Sequence, residues 1–458
     1  MRLRSFWHFN RVTFFVLDYA LLWGAVVCAF KLSPRYAREI LLGPWLNPEL
    51  QFIGYGLPLL MAFGLQVTGM QRIKASFRPT ETLAQTLAGL AGGMLAFVVI
   101  HAVAEFGLIG RYVLLFSLCY GTGFIVCSRM LVWKLAEQQV RKILFYGSPA
   151  AAAALKQEIN RSNLPIRLVD QMQLDKLLPT DAAEFGKLKQ LSLYARLNAV
   201  EAEDIVVEVP PDALTTAERE ALLFCTRMGV SVLDLGYFFE RELERVHVAG
   251  LREAWFWGYD PAYAHPVYFA VKRTLDVVIS LMGMLAFAPV APIVVALIKL
   301  QDGGPAIYSQ VRVGLHNEHF RIYKFRTMRL DAETNGAQWA KVNDDRTTWF
   351  GRLLRKTRVD EVPQFWNILR GDMSFIGPRP ERPEFVGKIE AAVPFYSYRH
   401  LIKPGLTGWA QINYPYGASI EDARQKLAYD LYYMKYGTIT RELQILLRTI
   451  VAMMQGAR

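Results

Sequence analysis

Four predominantly apolar runs open the chain: Val12 to Phe30, Gln51 to Gln71, Leu83 to Ala104 and Tyr112 to Trp133. A helix needs roughly 20 residues to cross a bilayer core, so this pattern predicts four transmembrane helices. The first is not expected to be a cleaved signal, because it carries Asp18 and no small-residue cleavage pattern follows before the second run. A carboxylate inside a span is costly, and the place of Asp18 near the membrane face favours helix packing or an interfacial role over chemistry. Basic residues gather at Arg2, Arg4 and Arg11, at Arg72, Lys74 and Arg78, and at Lys134, Arg141 and Lys142. They predict a cytoplasmic N-terminus and a cytoplasmic location for everything after the fourth span, although Lys31, Arg35 and Arg38 pull the other way.

After Lys142 the period changes. Short apolar stretches at Ile143 to Tyr146, Asp204 to Val209 and Val230 to Leu235 alternate with helical ones at Ala150 to Ile159 and Glu218 to Met228, which predicts a small Rossmann-like α/β domain. Its first strand ends at Gly147-Ser-Pro. A lone glycine lacks the spacing that lets backbone approach a pyrophosphate, so a structural or regulatory module is favoured over a nucleotide site. An aromatic segment, Trp255 to Tyr268, then suits a membrane interface.

Val277 to Ile298 is uncharged and long enough to span, but Pro289 and Pro292 lie within it. Proline removes a backbone donor and clashes with the preceding turn, so a break near Ala288 is predicted. With a cytoplasmic N-terminus, a fifth crossing would carry the rest of the chain outside. A re-entrant hairpin near 266–299 avoids this and leaves Lys272, Arg273 and Asp276 at headgroup level. The expected organisation is a membrane protein of mixed α and α/β class. Residues 1–138 form the four-helix region, 139–250 the Rossmann-like domain, and 251–458 a mostly α-helical domain with the hairpin.

Composition supports this picture and narrows the partners. A chain of 458 residues exceeds one ordinary core, and 53% hydrophobic against 20% charged residues is a membrane-protein balance. The net charge of +11 points to anionic lipid or an anionic substrate rather than nucleic acid, given the apolar runs. Cys28, Cys119, Cys127 and Cys225 show no metal-ligand spacing and no disulfide framework.

The candidate chemistry lies in the last third, in Arg358-Val-Asp-Glu-Val-Pro and the Gly377-Pro-Arg-Pro380 turn. Adjacent residues in mid-helix point about 100 degrees apart, but at a helix start they can converge. Pro363 is tolerated in a first turn, which predicts a helix beginning near Asp360, with Val362, Phe365, Trp366 and Leu369 as its buried stripe. Helix starts favour both carboxylates and a bound phosphate. A carboxylate attacking a phosphate needs its charge neutralised, by a divalent ion on a second carboxylate and by Arg or Lys at the phosphate oxygens. Asp360 is the candidate nucleophile and Glu361 the candidate ion ligand. Lys324, Arg326, Arg358, Arg379 and Lys403 are candidate clamps. Alone, an Asp-Glu pair reads as a solvated helix cap; its assembly with these pieces beside a broken membrane segment reverses that reading.

These pieces carry a resemblance. Lys-Arg-x-x-Asp at Lys272, Phe-x-Pro at Phe287, Lys-Phe-Arg-Thr-Met at Lys324, the Asp360-Glu361 pair, Asn367-x-x-x-Gly-Asp-Met-Ser-Phe-x-Gly-Pro-Arg-Pro, Pro404-Gly-x-Thr-Gly-Trp-Ala-Gln and Asp430-x-Tyr-Tyr occur in order from Lys272 to about Ile450. In this the chain resembles the bacterial sugar transferases, polyprenyl-phosphate phosphoglycosyl transferases, and with four spans and an α/β unit it is similar to their large subgroup. The resemblance implies that Asp360 attacks the β-phosphate of a UDP-sugar, releasing UMP, and that undecaprenyl phosphate then takes the phosphosugar. It also implies Mg²⁺ on Glu361, nucleotide binding by Arg379, and substrate contacts from Lys272, Arg273 and Asp430. The implied setting is the bacterial inner membrane, at the first step of exopolysaccharide, capsule or O-antigen synthesis. Glucose and galactose lead as sugars, ahead of N-acetylated hexosamines, and a homodimer is the expected assembly. One departure stands out: Ala288-Pro289 replaces the Ser-Pro often found at the hairpin break, which shifts weight to Pro292. The competing readings are a membrane-anchored, non-catalytic regulatory or binding protein and a metal-dependent phosphohydrolase.

Overall fold

The computed structural model describes residues 11–33, 48–68, 79–104, 110–137, 140–162, 164–172, 193–257, 266–332, 344–415, 417 and 419–454. The basic residues Arg2, Arg4, Arg35, Arg38, Arg72, Lys74 and Arg78, on which the predicted orientation leans, lie outside them. The chain forms two compact units, Met1–Leu243 and Glu244–Arg458.

In the first unit, helices α1 (Arg11–Leu32), α2 (Pro48–Thr68), α3 (Pro79–Val103) and α4 (Arg111–Glu137) follow the four apolar runs, and each is long and apolar enough to cross a membrane. The protein is a membrane protein. Leu22, Leu57, Met61, Leu90 and Ile125 fill the bundle interior, whereas apolar residues such as Leu95, Val99 and Leu115 face outward. Lipid tails are as apolar as leucine, so close packing must hold such helices together. At Gly64 and Gly93 the backbones of α2 and α3 touch: a Cβ on either would collide with a carbonyl of the other helix. Asp18 is fully buried and accepts two hydrogen bonds, of 2.8 and 2.6 Å, from Arg129 on α4. It packs helices, as its position suggested. Its partner, 111 residues away, was not visible in the local pattern.

The same unit continues with β1 (Arg141–Tyr146), α5 (Pro149–Ser162), β2 (Ile166–Met172), β3 (Asp204–Val207), α6 (Thr216–Arg227) and β4 (Ser231–Asp234). The strands make a parallel sheet in the order β2-β1-β3-β4. Alternate residues feed two cores: Ile143, Phe145 and Val206 enter one, Leu144, Tyr146 and Ile205 the other. At the turn after β1, the backbone N–H and the hydroxyl of Ser148 donate to Glu208 at 2.6 and 3.1 Å. The protein's own carboxylate therefore rests at the start of α5.

The second unit opens with α7 (Pro266–Phe287) and α8 (Ala291–Asp302), bent by 66° across the break. The break falls at Ala288, as the prolines require, and Pro292 sits in the first turn of α8, where no donor is lost. Strands β5 (Ile307–Val313) and β6 (His319–Phe325) form an antiparallel hairpin. Helix α9 (Trp349–Thr357) and helix α10 (Gln364–Arg370) flank the Asp-Glu pair. Strands β7 (Ser374–Ile376) and β8 (Gly405–Thr407) pair in parallel. With α11 (Pro383–Glu390), α12 (Ile420–Tyr436) and α13 (Ile439–Met454), they surround a core that includes Val386, Trp409, Leu427 and Leu431. Glycine is required at Gly377, because a Cβ there would collide with the Lys403 carbonyl.

Candidate active site

Arg358 ends α9 in the left-handed conformation (φ 59°, ψ 13°), which turns the chain sharply into a 3₁₀ turn, Val359–Glu361. Asp360 and Glu361 occupy this turn, not the α-helix predicted to begin there. Helix α10 starts after them, and Pro363 precedes it rather than lying in its first turn. The predicted buried stripe also needs correction. Trp366 is exposed and Val362, Phe365 and Leu369 are half-buried, while Gln364, Asn367 and Ile368 are buried. Polar contacts explain the rotation: the Asn367 side chain accepts from the Tyr323 N–H at 3.1 Å and donates to the Arg321 carbonyl at 2.7 Å, tying α10 to β6.

That tie brings Lys324, on β6, to the pair. Glu361 Oε1 receives Arg379 at 2.7 Å, Lys324 at 3.5 Å and Arg358 at 3.8 Å. Burial pushes the Glu361 carboxyl up, but these three cations outweigh it and hold it at about 2. Asp360 behaves oppositely. Burial and the neighbouring Glu361 charge raise it to about 6, against the pull of Lys324, Arg355 and Arg379. Its Oδ1 is buried and has no hydrogen-bond partner among the described residues. A buried carboxylate with a raised pKa and one unengaged oxygen has the character of a candidate nucleophile.

The other predicted residues are placed elsewhere in the unit. Lys272, on α7, is buried and donates to the Ile376 carbonyl at 3.0 Å, to Tyr433 at 3.1 Å and to Glu442 at 2.5 Å. Arg273 caps the far end of α10 through the Ile368 and Leu369 carbonyls at 2.6 and 2.7 Å. Asp276 accepts from Ser374 and from the Phe375 N–H. Together these three fasten α7 to the segment that leaves the Asp-Glu turn. Arg326 is committed to Asp302. Lys403 lies beside Gly371 and Arg273, and burial and the Arg273 charge lower its pKa. Asp430 pairs with Arg399.

Two cations were missed. Arg355, five residues before Asp360, faces it, with its Nε donating to Thr327 at 2.9 Å. Arg312, on β5, stands beside Arg379 and Glu381. Their types were visible in the sequence, but an arginine on an amphipathic helix or strand looks the same whether it meets water or a site.

This geometry gathers positive charge around a buried carboxylate pair, the charge neutralisation that phosphoryl transfer demands. The comparisons agree. Residues 267–456 match the family model described as bacterial sugar transferase. A UDP-N-acetylgalactosamine-undecaprenyl-phosphate N-acetylgalactosaminephosphotransferase of Aeromonas hydrophila is 37% identical over 260 residues, covering 57% of this chain and 61% of that protein. The UDP-glucose:undecaprenyl-phosphate glucose-1-phosphate transferase of Caulobacter vibrioides is 40% identical over 185 residues, 40% of this chain and 69% of the relative. Its namesake in Klebsiella pneumoniae is 26% identical over 419 residues, 88% of each chain. The chain belongs to the bacterial sugar transferase family.

Proposed function

We propose that this protein is a phosphotransferase that moves a hexose-1-phosphate from a UDP-sugar to undecaprenyl phosphate. The observation that carries the reading is the division of labour at the pair: three cations neutralise Glu361, while Asp360 keeps a buried, unengaged oxygen. An Asp360 oxygen attacks the β-phosphorus. The bond to the bridging oxygen breaks, and its electron pair leaves with UMP. A phosphate oxygen of undecaprenyl phosphate then attacks the aspartyl phosphosugar, and the bond to Asp360 breaks. Arg379, Lys324 and Arg358 hold the phosphate oxygens, with Arg355 on the Asp360 side.

The residues suit a magnesium ion. No third carboxylate, histidine or cysteine joins the pair among the described residues, and Mg²⁺ takes most of its ligands from water and phosphate. Glu361 would hold it. Bound there, the ion supplies further charge neutralisation at the diphosphate.

The setting in this reading is the bacterial inner membrane, with the Rossmann-like domain, residues 139–250, and the catalytic domain, residues 251–458, on the cytoplasmic face, and with α7 and α8 forming a re-entrant hairpin. Exposed Met282, Leu285, Ile293 and Leu300 give that hairpin a lipid-facing surface. Asp331→Cys, in a background whose four native cysteines are replaced by serine, is expected to react with an impermeant maleimide only in inverted vesicles; labelling of intact spheroplasts refutes the re-entrant path.

The relatives are named for glucose and for N-acetylgalactosamine, so a donor panel includes both beside galactose. The purified full-length protein, with Mg²⁺ and undecaprenyl phosphate, is expected to release UMP with one of these donors. Release with none of them overturns the function. The attacking form of Asp360 is its anion, so UMP release is expected to rise with pH through about 6 and to fall tenfold for each unit below it. A flat profile between pH 5 and 7 contradicts the assigned nucleophile.

A further inference from the structure

Asp430 was expected to touch substrate, but it lies behind the site. It is buried, as is Arg399, and its Oδ2 accepts from Nε and Nη2 of Arg399 at 2.9 and 2.7 Å. Arg399 also donates from Nη1 to the Tyr396 hydroxyl at 2.9 Å. Its Nη2 reaches further, to the backbone carbonyl of Arg379 at 3.0 Å. That carbonyl belongs to the residue whose guanidinium lies 2.7 Å from Glu361. The rest of the turn is pinned from the other side: Gly377 N–H donates to Thr407 and Gly405 N–H to the Pro378 carbonyl. Arg379 thus has a fixed backbone and a side chain that is 40% exposed.

A buried ion pair is a poor source of stability, since desolvating both charges offsets their attraction. It is a good source of fixed geometry, because the planar guanidinium directs its donors at set angles. We propose that Asp430 and Arg399 are positioning residues that set the reach of Arg379 through its backbone carbonyl, and so act on the donor's diphosphate without touching it. The inference rests on the function proposed above. The pair orients Arg399, Arg399 holds the Pro-Arg-Pro turn, and the turn aims the guanidinium that makes the 2.7 Å hydrogen bond to Glu361.

The test is a coupling experiment on full-length protein. Asp430→Asn keeps the shape and weakens the hold on Arg399, and Tyr396→Phe removes one contact without touching charge. Each is combined with Arg379→Ala, and UMP release is followed as kcat and KM for the donor, alongside thermal unfolding. In the Arg379 background, Asp430→Asn is expected to raise donor KM and to lower kcat/KM by roughly 10- to 100-fold, as for an ångström-scale misplacement. Tyr396→Phe is expected to act in the same direction to a smaller extent. In the Arg379→Ala background the same substitutions are expected to change kcat/KM by less than about two-fold, because the group they aim is gone. Equal losses in both backgrounds overturn the inference, as does a loss that tracks unfolding temperature rather than donor KM. If the unsubstituted protein releases no UMP, the proposed function fails instead, so the two failures are distinct.

Discussion

An Asp360→Asn protein is expected to release UMP at least roughly 10⁴-fold more slowly than the unsubstituted chain and, at neutral pH, to unfold at a higher temperature. The first effect follows from removing the attacking oxygen's charge while keeping its shape. The second follows from the sign of the pKa shift. The carboxyl rises from 3.8 to about 6 on folding, because burial and Glu361 oppose its ionisation. Between those values the unfolded chain releases a proton that the folded chain keeps, so this group's contribution to stability falls as pH rises. Above about 6 the folded protein carries a buried anion at a net cost, and the neutral amide removes that cost. The gain in unfolding temperature should therefore appear at pH 7.5 and vanish near pH 4. A substrate carrying ³²P at the β-phosphate should label the unsubstituted protein and leave Asp360→Asn unlabelled. Full activity in that variant would favour the non-catalytic reading, and release of free sugar phosphate without a lipid acceptor would favour a phosphohydrolase.

The second large effect is expected at Arg379. Its guanidinium makes the shortest contact with Glu361, 2.7 Å, against 3.5 Å for Lys324 and 3.8 Å for Arg358. Removing a single preorganised charge-stabilising donor costs roughly 10²- to 10³-fold in rate, and Arg379→Ala should lose about that much kcat/KM for UMP release. Two causes add: a phosphate clamp disappears, and burial of Glu361 is less well opposed, so its carboxyl moves up from about 2. Arg379→Lys should recover only part of the loss, since an ammonium cannot present two parallel donors. Activity within a few-fold of the unsubstituted protein would place Arg379 outside the site.

Much of the architecture was legible because it is periodic. The four apolar helices, the alternating strands and helices after Lys142, and the break at Ala288 each follow from composition within one element. The Asp-Glu pair was legible as chemistry because its neighbours in sequence are basic. What escaped depends on the distant pairing of elements. The sequence marks Lys272, Arg273, Arg326 and Lys403 as cations, but Lys272 and Arg273 hold α7 in place, Arg326 binds the end of α8 and Lys403 lies at the far end of α10. Lys324 reaches Glu361 because Asn367 fixes the register between α10 and β6. The same tie rotates Trp366 outward, against the apolar pattern. Arg399 gave no local signal at all, since its importance lies in a carbonyl 20 residues away.

The buried bond between Asp18 and Arg129 bears on how the bundle is made. Helix α1 leaves the ribosome with an acidic group that the hydrocarbon disfavours, and the arginine that compensates it is translated 111 residues later. Until α4 arrives, Asp18 lacks the arginine that pairs with it in the folded bundle. The bond joins the first helix to the last, so the bundle closes only when all four have been synthesised, and a chain that stalls short of α4 carries an unmatched charge inside the membrane.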